Sequence, residues 1–237
     1  MRTKANFARP RRSLIASLVF ARQFLIPEMG RFQSRWPKIE LRLLTTNAML
    51  DLGRRDADIA VRNVRPDRGR LVSRPLGTLG HAVYASRAYV ARRGEPRSRE
   101  DLRSHHLLGY EGTTVFQPEL RWMVDTGMPV ALRVTDTLTL VDGVKAGLGI
   151  APLPCCIGEL EPDLLRLDVC GRGEDRICCV YPEELRESAR IRAAVDWLAE
   201  TWTRHQTTLE GPPSVQLETK SSAPRASPTT TIARPTK

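Results

Sequence analysis

Several features that mark membrane proteins, metal sites and enzymes are absent from this sequence. No apolar run approaches the roughly 18 residues of a membrane-spanning helix, so we predict no membrane partner. No C-x-x-C pair occurs and no His lies near a Cys in sequence, so zinc-site spacing is missing. Neither a G-x-S-x-G elbow nor a G-x-G-x-x-G phosphate loop is present. We therefore predict no enzyme activity, no cofactor, and no catalytic or metal-binding residue.

The net charge of +10 is concentrated at the two ends of the chain. Residues 1–12 contribute +5 and residues 205–237 contribute +2, whereas residues 13–204 contribute only +3. A nearly neutral body does not indicate a nucleic-acid-binding face. The basic leader suits phosphate contacts, which are salt-sensitive and carry no direct sequence information.

The five cysteines are an odd number and include two adjacent pairs. Cys178 and Cys179 lie in the run RICCVYP, which has the composition of a buried strand. We interpret the thiols as small apolar core residues, which fits a reducing, cytoplasmic location. A redox or metal role is the alternative.

The first thirty residues permit two interpretations. The basic start, the apolar run SLIASLVF and the triplet at 19–21 have the layout of an export signal. However, the apolar run is short, and residues 24–26 continue a helical apolar spacing past the supposed cleavage site. We favour a strand at 13–17 followed by a helix that Pro27 kinks.

Strand and helix patterns alternate over the first sixty residues. Strands are predicted at 13–17, 39–46 and 57–63, with one helix between each pair and Asn47 as the cap of the second helix. This β-α-β-α-β order predicts an α/β fold with a parallel sheet covered by helices.

Two helices stand out in the rest of the chain. One begins at Thr137, its predicted N-cap, and ends at the glycines 147 and 149. The other spans 188–205, and its apolar stripe comprises Ile191, Ala194, Val195, Leu198 and Trp202. Residues 205–237 are rich in Ser, Thr and Pro, and we predict a disordered tail there.

Polar side chains follow several predicted strands, where open α/β sheets bind their ligands. The candidate ligand-binding residues are Ser17, Thr46, Asn47, Arg62, Asn63, Thr135 and Asp136. Their hydroxyl, amide and guanidinium groups suit a small carboxylate or hydroxylated ligand. The alternative is that they are helix caps and turn formers, as such residues are in any α/β protein.

An ordered set of segments resembles the effector-binding domain of LysR-type transcriptional regulators over residues 13–204. The segments are FLIPEMGRFQSRWPKIELRLLTTNAMLDLGRRDADIAVR, LVSRPLG, VYASRAYVARRGEPRSREDLRSHHLLGY, GVKAGLGIAPLP and VYPEELRESARIRAAVDWLAE. The resemblance implies a type 2 periplasmic-binding-protein fold, with two Rossmann-like subdomains joined by two crossover strands. Subdomain I would comprise about 13–73 and 175–204, and subdomain II about 74–174.

The resemblance also implies a bacterial, cytoplasmic sensor of transcription that binds a small organic, acidic effector in the cleft and pairs as a homodimer through this domain. Family members carry an N-terminal winged helix-turn-helix, and this chain has twelve residues in its place. We therefore expect a basic, disordered leader at 1–12 and DNA binding only if a head domain is supplied. The alternative is an exported solute-binding protein of the same fold that serves a transporter.

Overall fold

The computed structural model describes residues 12–45, 57–63, 70–111, 128–169 and 173–212. The strands are β1 (Arg12–Ala16), β2 (Leu41–Thr45), β3 (Ile59–Arg62), β4 (Leu71–Ser86), β5 (Leu107–Tyr110), β6 (Val130–Val134), β7 (Ile150–Pro154), β8 (Leu164–Leu167) and β9 (Gly173–Pro182). The α-helices are α1 (Leu18–Phe20), α2 (Ile26–Arg35), α3 (Arg87–Arg93), α4 (Thr137–Lys145), α5 (Cys155–Gly158), α6 (Ala189–Arg204) and α7 (Gln206–Glu210). A π-helical turn (Ala21–Leu25) joins α1 to α2, and two 3-10 turns (Asp101–Ser104 and Glu183–Leu185) complete the set.

The strands form one sheet in the order β2-β1-β3-β9-β4-β7-β5-β6, and β8 pairs with β4. The first half of the sheet is parallel, because β1 pairs in parallel with both β2 and β3. The second half is likewise parallel where β5 pairs with β6 and β7. Helices connect these strands, so the predicted α/β class is confirmed.

Two long strands join the halves. Residues 71–81 of β4 pair with β9, whereas residues 81–86 pair with β7 and β8. β9 in turn pairs with β3 of the first half through residues 178–180. These are the two crossover strands of the predicted fold. The predicted subdomain boundaries at 73/74 and 174/175 fall inside them, and those boundaries remain a prediction.

The first predicted strand and helix form as expected, with one addition. β1 runs one residue further toward the N-terminus than predicted, and Ser17 accepts a hydrogen bond from the Phe20 backbone at 3.3 Å as the cap of α1. Ahead of Pro27, residues 21–25 adopt a π-helical turn. Since proline has no N–H to donate, the helical ladder is interrupted at this point and a wider turn precedes it.

The predicted amphipathic helix is confirmed as α6. All five residues of its predicted stripe are buried, and Trp197 adds a further aromatic ring to the same core. The ring of Trp197 lies 4.9 Å from that of Phe32, and the ring of Trp202 lies 5.3 Å from that of Phe20. These ring contacts therefore pack α6 against α1 and α2.

Two local predictions need correction. The cap of α4 is Asp136, not Thr137, because the Asp136 carboxylate accepts the Thr139 backbone N–H. The predicted tail is wrong at its start, because residues 206–210 form α7, whose Leu209 is buried.

The predicted burial of the cysteines is confirmed for Cys155, Cys156 and Cys179, and Cys178 is half-buried. Burial raises the pKa of Cys156 and of Cys179 to about 12, so both remain neutral thiols at physiological pH. Several predictions fall outside the described residues: Thr46, Asn47 and the helix after them, Cys170, the leader as far as residue 11, and the tail from residue 213 onward.

Candidate functional site

The directions of the strands bring two sets of strand ends face to face. β9 runs antiparallel to both β3 and β4, so β1 and β3 run in the same direction as β4, toward the second half. β7 runs antiparallel to β4, so β5, β6 and β7 run toward the first half. The carboxyl ends of the parallel strands in both halves therefore point toward each other across the crossover strands. Open α/β folds bind their ligands at such strand ends.

Ser17 and Arg62 end neighbouring strands of the first half. The parallel register pairs Leu14 with Ile59 and Ile15 with Ala60, and its continuation by two residues places Ser17 beside Arg62. Both side chains are partly exposed. Burial lowers the pKa of the Arg62 guanidinium, an effect that Cys178 opposes, but an arginine remains charged at neutral pH. The first half thus presents a hydroxyl and a fixed positive charge.

Asn63 extends this group onto a crossover strand. Its side-chain amide donates to the carboxylate of Asp175 on β9 at 3.3 Å. Asp175 lies opposite Leu79 of β4 in the antiparallel register, and the next same-face position of β4 is His81. An amide, a carboxylate and an imidazole therefore lie at the crossover strands, where the two halves meet.

His81 and Asp175 were not among the residues predicted from the sequence. The Nδ1 atom of His81 is buried and has no hydrogen-bond partner among the described residues. Burial lowers the pKa of His81, with Asp175 and the backbone of Leu79 opposing the shift, so the ring is neutral at pH 7. One sequence signal was available, because His81 is one of only four histidines and interrupts an extended, largely apolar run.

The second half contributes Thr135 and Asp136, between β6 and α4. Both carboxylate oxygens of Asp136 accept hydrogen bonds from Thr139, at 2.9 Å from its backbone N–H and 2.7 Å from its hydroxyl. These bonds lower the pKa of Asp136. Thr135 is exposed. The predicted alternative role of helix cap therefore applies to Asp136.

Tyr110, at the end of β5, was not among the predicted residues. Its hydroxyl lies 2.8 Å from the Thr137 hydroxyl, and burial raises its pKa, so it stays protonated at neutral pH. The end of β5 and the first turn of α4 are thus linked by neutral hydroxyl groups.

Within the described residues, no group of three or more His, Cys, Asp or Glu side chains has the arrangement of a metal site. None of the helices in the same part of the chain is long and apolar enough to cross a membrane.

The fold, with facing strand ends and two crossover strands, defines a type 2 periplasmic-binding-protein-like domain. Residues 8–203 match the family described as the LysR substrate binding domain, so the chain belongs to that family. The family is not one of enzymes, which agrees with the absence of a catalytic motif from the sequence. The chain is thus an effector-binding domain of the LysR type of transcriptional regulator.

Individual relatives agree with this assignment. The uncharacterized HTH-type transcriptional regulator YhjC of Escherichia coli K12 is 29% identical over 76% of this chain and 63% of its own length. The HTH-type transcriptional regulator CrgA of Neisseria meningitidis MC58 is 33% identical over 41% of this chain and 33% of its own length. The chain therefore spans less than two thirds of these relatives.

Solved structures show the same fold. The CrgA regulatory domain aligns with a TM-score of 0.69 at 24% identity, covering 81% of this chain and 98% of that chain. The effector domain of AmpR from Pseudomonas aeruginosa aligns with a TM-score of 0.66 at 20% identity, covering 83% of this chain and 97% of that chain.

Proposed function

We propose that this domain senses a small organic acid bound between its two halves and passes the signal to a DNA-binding head domain. The observation that carries the proposal is the opposition of the strand ends over the crossover strands, where the continued register places Arg62 beside Ser17 on one side. A guanidinium binds a carboxylate through two charge-assisted hydrogen bonds. Closure of the halves around such a ligand would bias a hinged element between two states.

The remaining groups suit the rest of the ligand. His81 offers a buried ring nitrogen that has no hydrogen-bond partner in the described part of the chain, and the Tyr110–Thr137 pair offers hydroxyl groups from the opposite half. Asn63 contributes an amide next to Asp175. Thr46, Asn47 and Thr135 complete the proposed site. Asp136 belongs to it through α4, whose first turn it holds in place.

The test begins with a thermal-shift screen of aliphatic and aromatic carboxylic acids, followed by calorimetry on the strongest stabiliser. Because loss of charged hydrogen bonds costs roughly 1.5–3 kcal/mol, we expect Arg62→Ala to weaken binding roughly ten- to hundredfold. Arg62→Lys keeps the charge and should fall in between.

Arg103→Ala is the matched control, because Arg103 is an exposed arginine on the 3-10 turn of the second half. Unchanged affinity in Arg62→Ala would remove Arg62 from the site. A screen in which no acid raises the melting temperature would contradict the acidic ligand class.

The proposal includes pairing of two copies in the cytoplasm, with DNA bound only through a head domain. Among the described strands, β2 and β6 lie at the two edges of the sheet, and edge strands expose backbone groups that can pair with another chain. Sedimentation equilibrium of the purified chain should show a dimer, and a monomer at micromolar concentration would contradict this part.

The exported solute-binding protein is the alternative. Signal cleavage after Ala21 would remove β1, which pairs with both β2 and β3 at the centre of the first half. The structure offers no observation that favours this alternative.

A further inference from the structure

Residues 205–212 cross from one half of the molecule to the other. We infer that this segment, called the strap below, is a third connection between the halves and restricts their hinge motion. Two antiparallel crossover strands alone form a narrow ribbon about which the halves can rotate. A third link beside the ribbon limits any rotation that changes the distance between its two anchor points.

The first anchor lies on the first half. Glu28 of α2 is buried and accepts hydrogen bonds from Arg204 at 2.6 Å and from the His205 ring at 3.3 Å. The His205 ring also meets the ring of Phe24 edge-on, with 5.2 Å between centroids. The start of the strap is thus held by both charged and aromatic contacts to the helical segment that follows β1.

The second anchor lies on the second half. Leu209 is 1% exposed, and α7 contacts β4 and α5. Gly211 follows with a φ of +72°, and a β-carbon at this position would overlap the side chain of Cys155 in α5. Arg166 of β8 then donates to the backbone carbonyl of Pro212 at 3.2 Å.

Each end of the strap is held by its own anchor. Gly211 is required twice, for its left-handed backbone conformation and for its close approach to α5. Any larger side chain there pushes the strap away from the second half, whereas the Glu28 anchor is untouched. The strap can therefore be released at one end by a single substitution.

The experiment measures the distance between the halves with spin labels at two exposed positions, Ser34 on α2 and Arg103 in the second half, introduced through unnatural amino acids. The full-length chain is compared with truncations after His205 and after Pro212. The first truncation removes α7 and the second anchor, whereas the second retains the whole strap and is the matched control.

We expect the truncation after His205 to broaden the distance distribution and shift its mean by several ångströms, while the truncation after Pro212 matches the full-length chain. Gly211→Ala in the full-length chain should give the same broadening. Gly94→Ala is its control, because Gly94 has a φ of +83° but a β-carbon there meets nothing within 4 Å.

If the shorter truncation does not fold, Gly211→Ala decides the matter alone. Superimposable distributions for Gly211→Ala, Gly94→Ala and the parent would overturn the proposal. These outcomes do not depend on an effector, so they are distinct from the test of the ligand site.

Discussion

Glu28 shows how one buried carboxylate holds distant parts of the chain together. Its side chain is 9% exposed and forms ion pairs with Arg31 at 3.2 Å and with Arg204 at 2.6 Å. Arg31 is three residues away on the same helix, whereas Arg204 ends the last long helix. A buried charge is tolerated because its partners satisfy it, and removal of the charge takes away the ionic part of these contacts.

We predict that Glu28→Gln lowers the free energy of unfolding by roughly 1–3 kcal/mol, because the amide keeps the shape but loses the charge. Urea denaturation at pH 7 measures the change. Glu187→Gln is the control: Glu187 also pairs with an arginine, Arg192, but is 86% exposed, so its substitution should change stability by less than about 0.5 kcal/mol. Equal effects in the two variants would contradict a special role for Glu28.

His81 and Asp175 are two residues that only the pairing of the crossover strands brings close together. Neither stands at the carboxyl end of a predicted strand, so a search of the carboxyl ends could not find them. They become neighbours because β4 and β9 pair in antiparallel register across the hinge. By contrast, the positions of Ser17, Arg62 and Asn63 at strand ends were predictable, since local alternation already located those ends.

At the scale of elements, the start of α4 illustrates the limits of local patterns. Thr137 and Asp136 are both good caps by residue type, and the sequence alone does not decide between them. In the structure the Asp136 carboxylate accepts both hydrogen bonds from Thr139, and the Thr137 hydroxyl meets Tyr110 instead. The helix therefore begins one residue earlier than predicted, and the residue predicted as its cap instead contacts a partner on β5.

We predict that Asp136→Ala destabilises the domain by about 1 kcal/mol, the usual loss for a helix cap. The pKa of Asp136 is lowered in the folded state, so its contribution is present above the ordinary value of 3.8 and is lost as pH falls through the lowered value. Urea denaturation from neutral to acidic pH should show the difference from the parent shrinking in acid.

Asp142→Ala serves as the control for this prediction, since Asp142 is an exposed aspartate within the same helix and does not cap it. A deficit in Asp136→Ala that stays constant down to strongly acidic pH would show that its carboxylate charge is not responsible.

At the scale of the whole molecule, Gly77 marks where a crossover strand meets the last long helix. β4 has a register shift between Pro75 and Gly77, and the Trp202 indole of α6 packs against the glycine so closely that a β-carbon would overlap it. The packing of α6 against this crossover strand thus requires a residue without a side chain at position 77. Glycine weakens a strand locally but allows this approach.

We predict that Gly77→Ala lowers the free energy of unfolding by about 1–3 kcal/mol through overpacking. Gly30→Ala is the control, because Gly30 is exposed on α2 with nothing within 4 Å of its β-carbon position, and alanine there should add roughly 0.5–1 kcal/mol. Chemical denaturation of both variants measures the difference, and a neutral Gly77→Ala would show that Trp202 moves aside without cost.

The sequence by itself determined the family and those elements that have a strong local pattern: alternation in the strands, the apolar stripe of α6, and the glycine at the end of α4. The tertiary structure alone decided which side chains of these elements come into contact. The hydrogen bond from Asn63 to Asp175 spans 112 positions and the one from Arg204 to Glu28 spans 176. The strap was mistaken for tail because its short helix has a polar composition and is ordered by contacts with both halves. Such contacts follow from chain topology and packing, which no local pattern encodes.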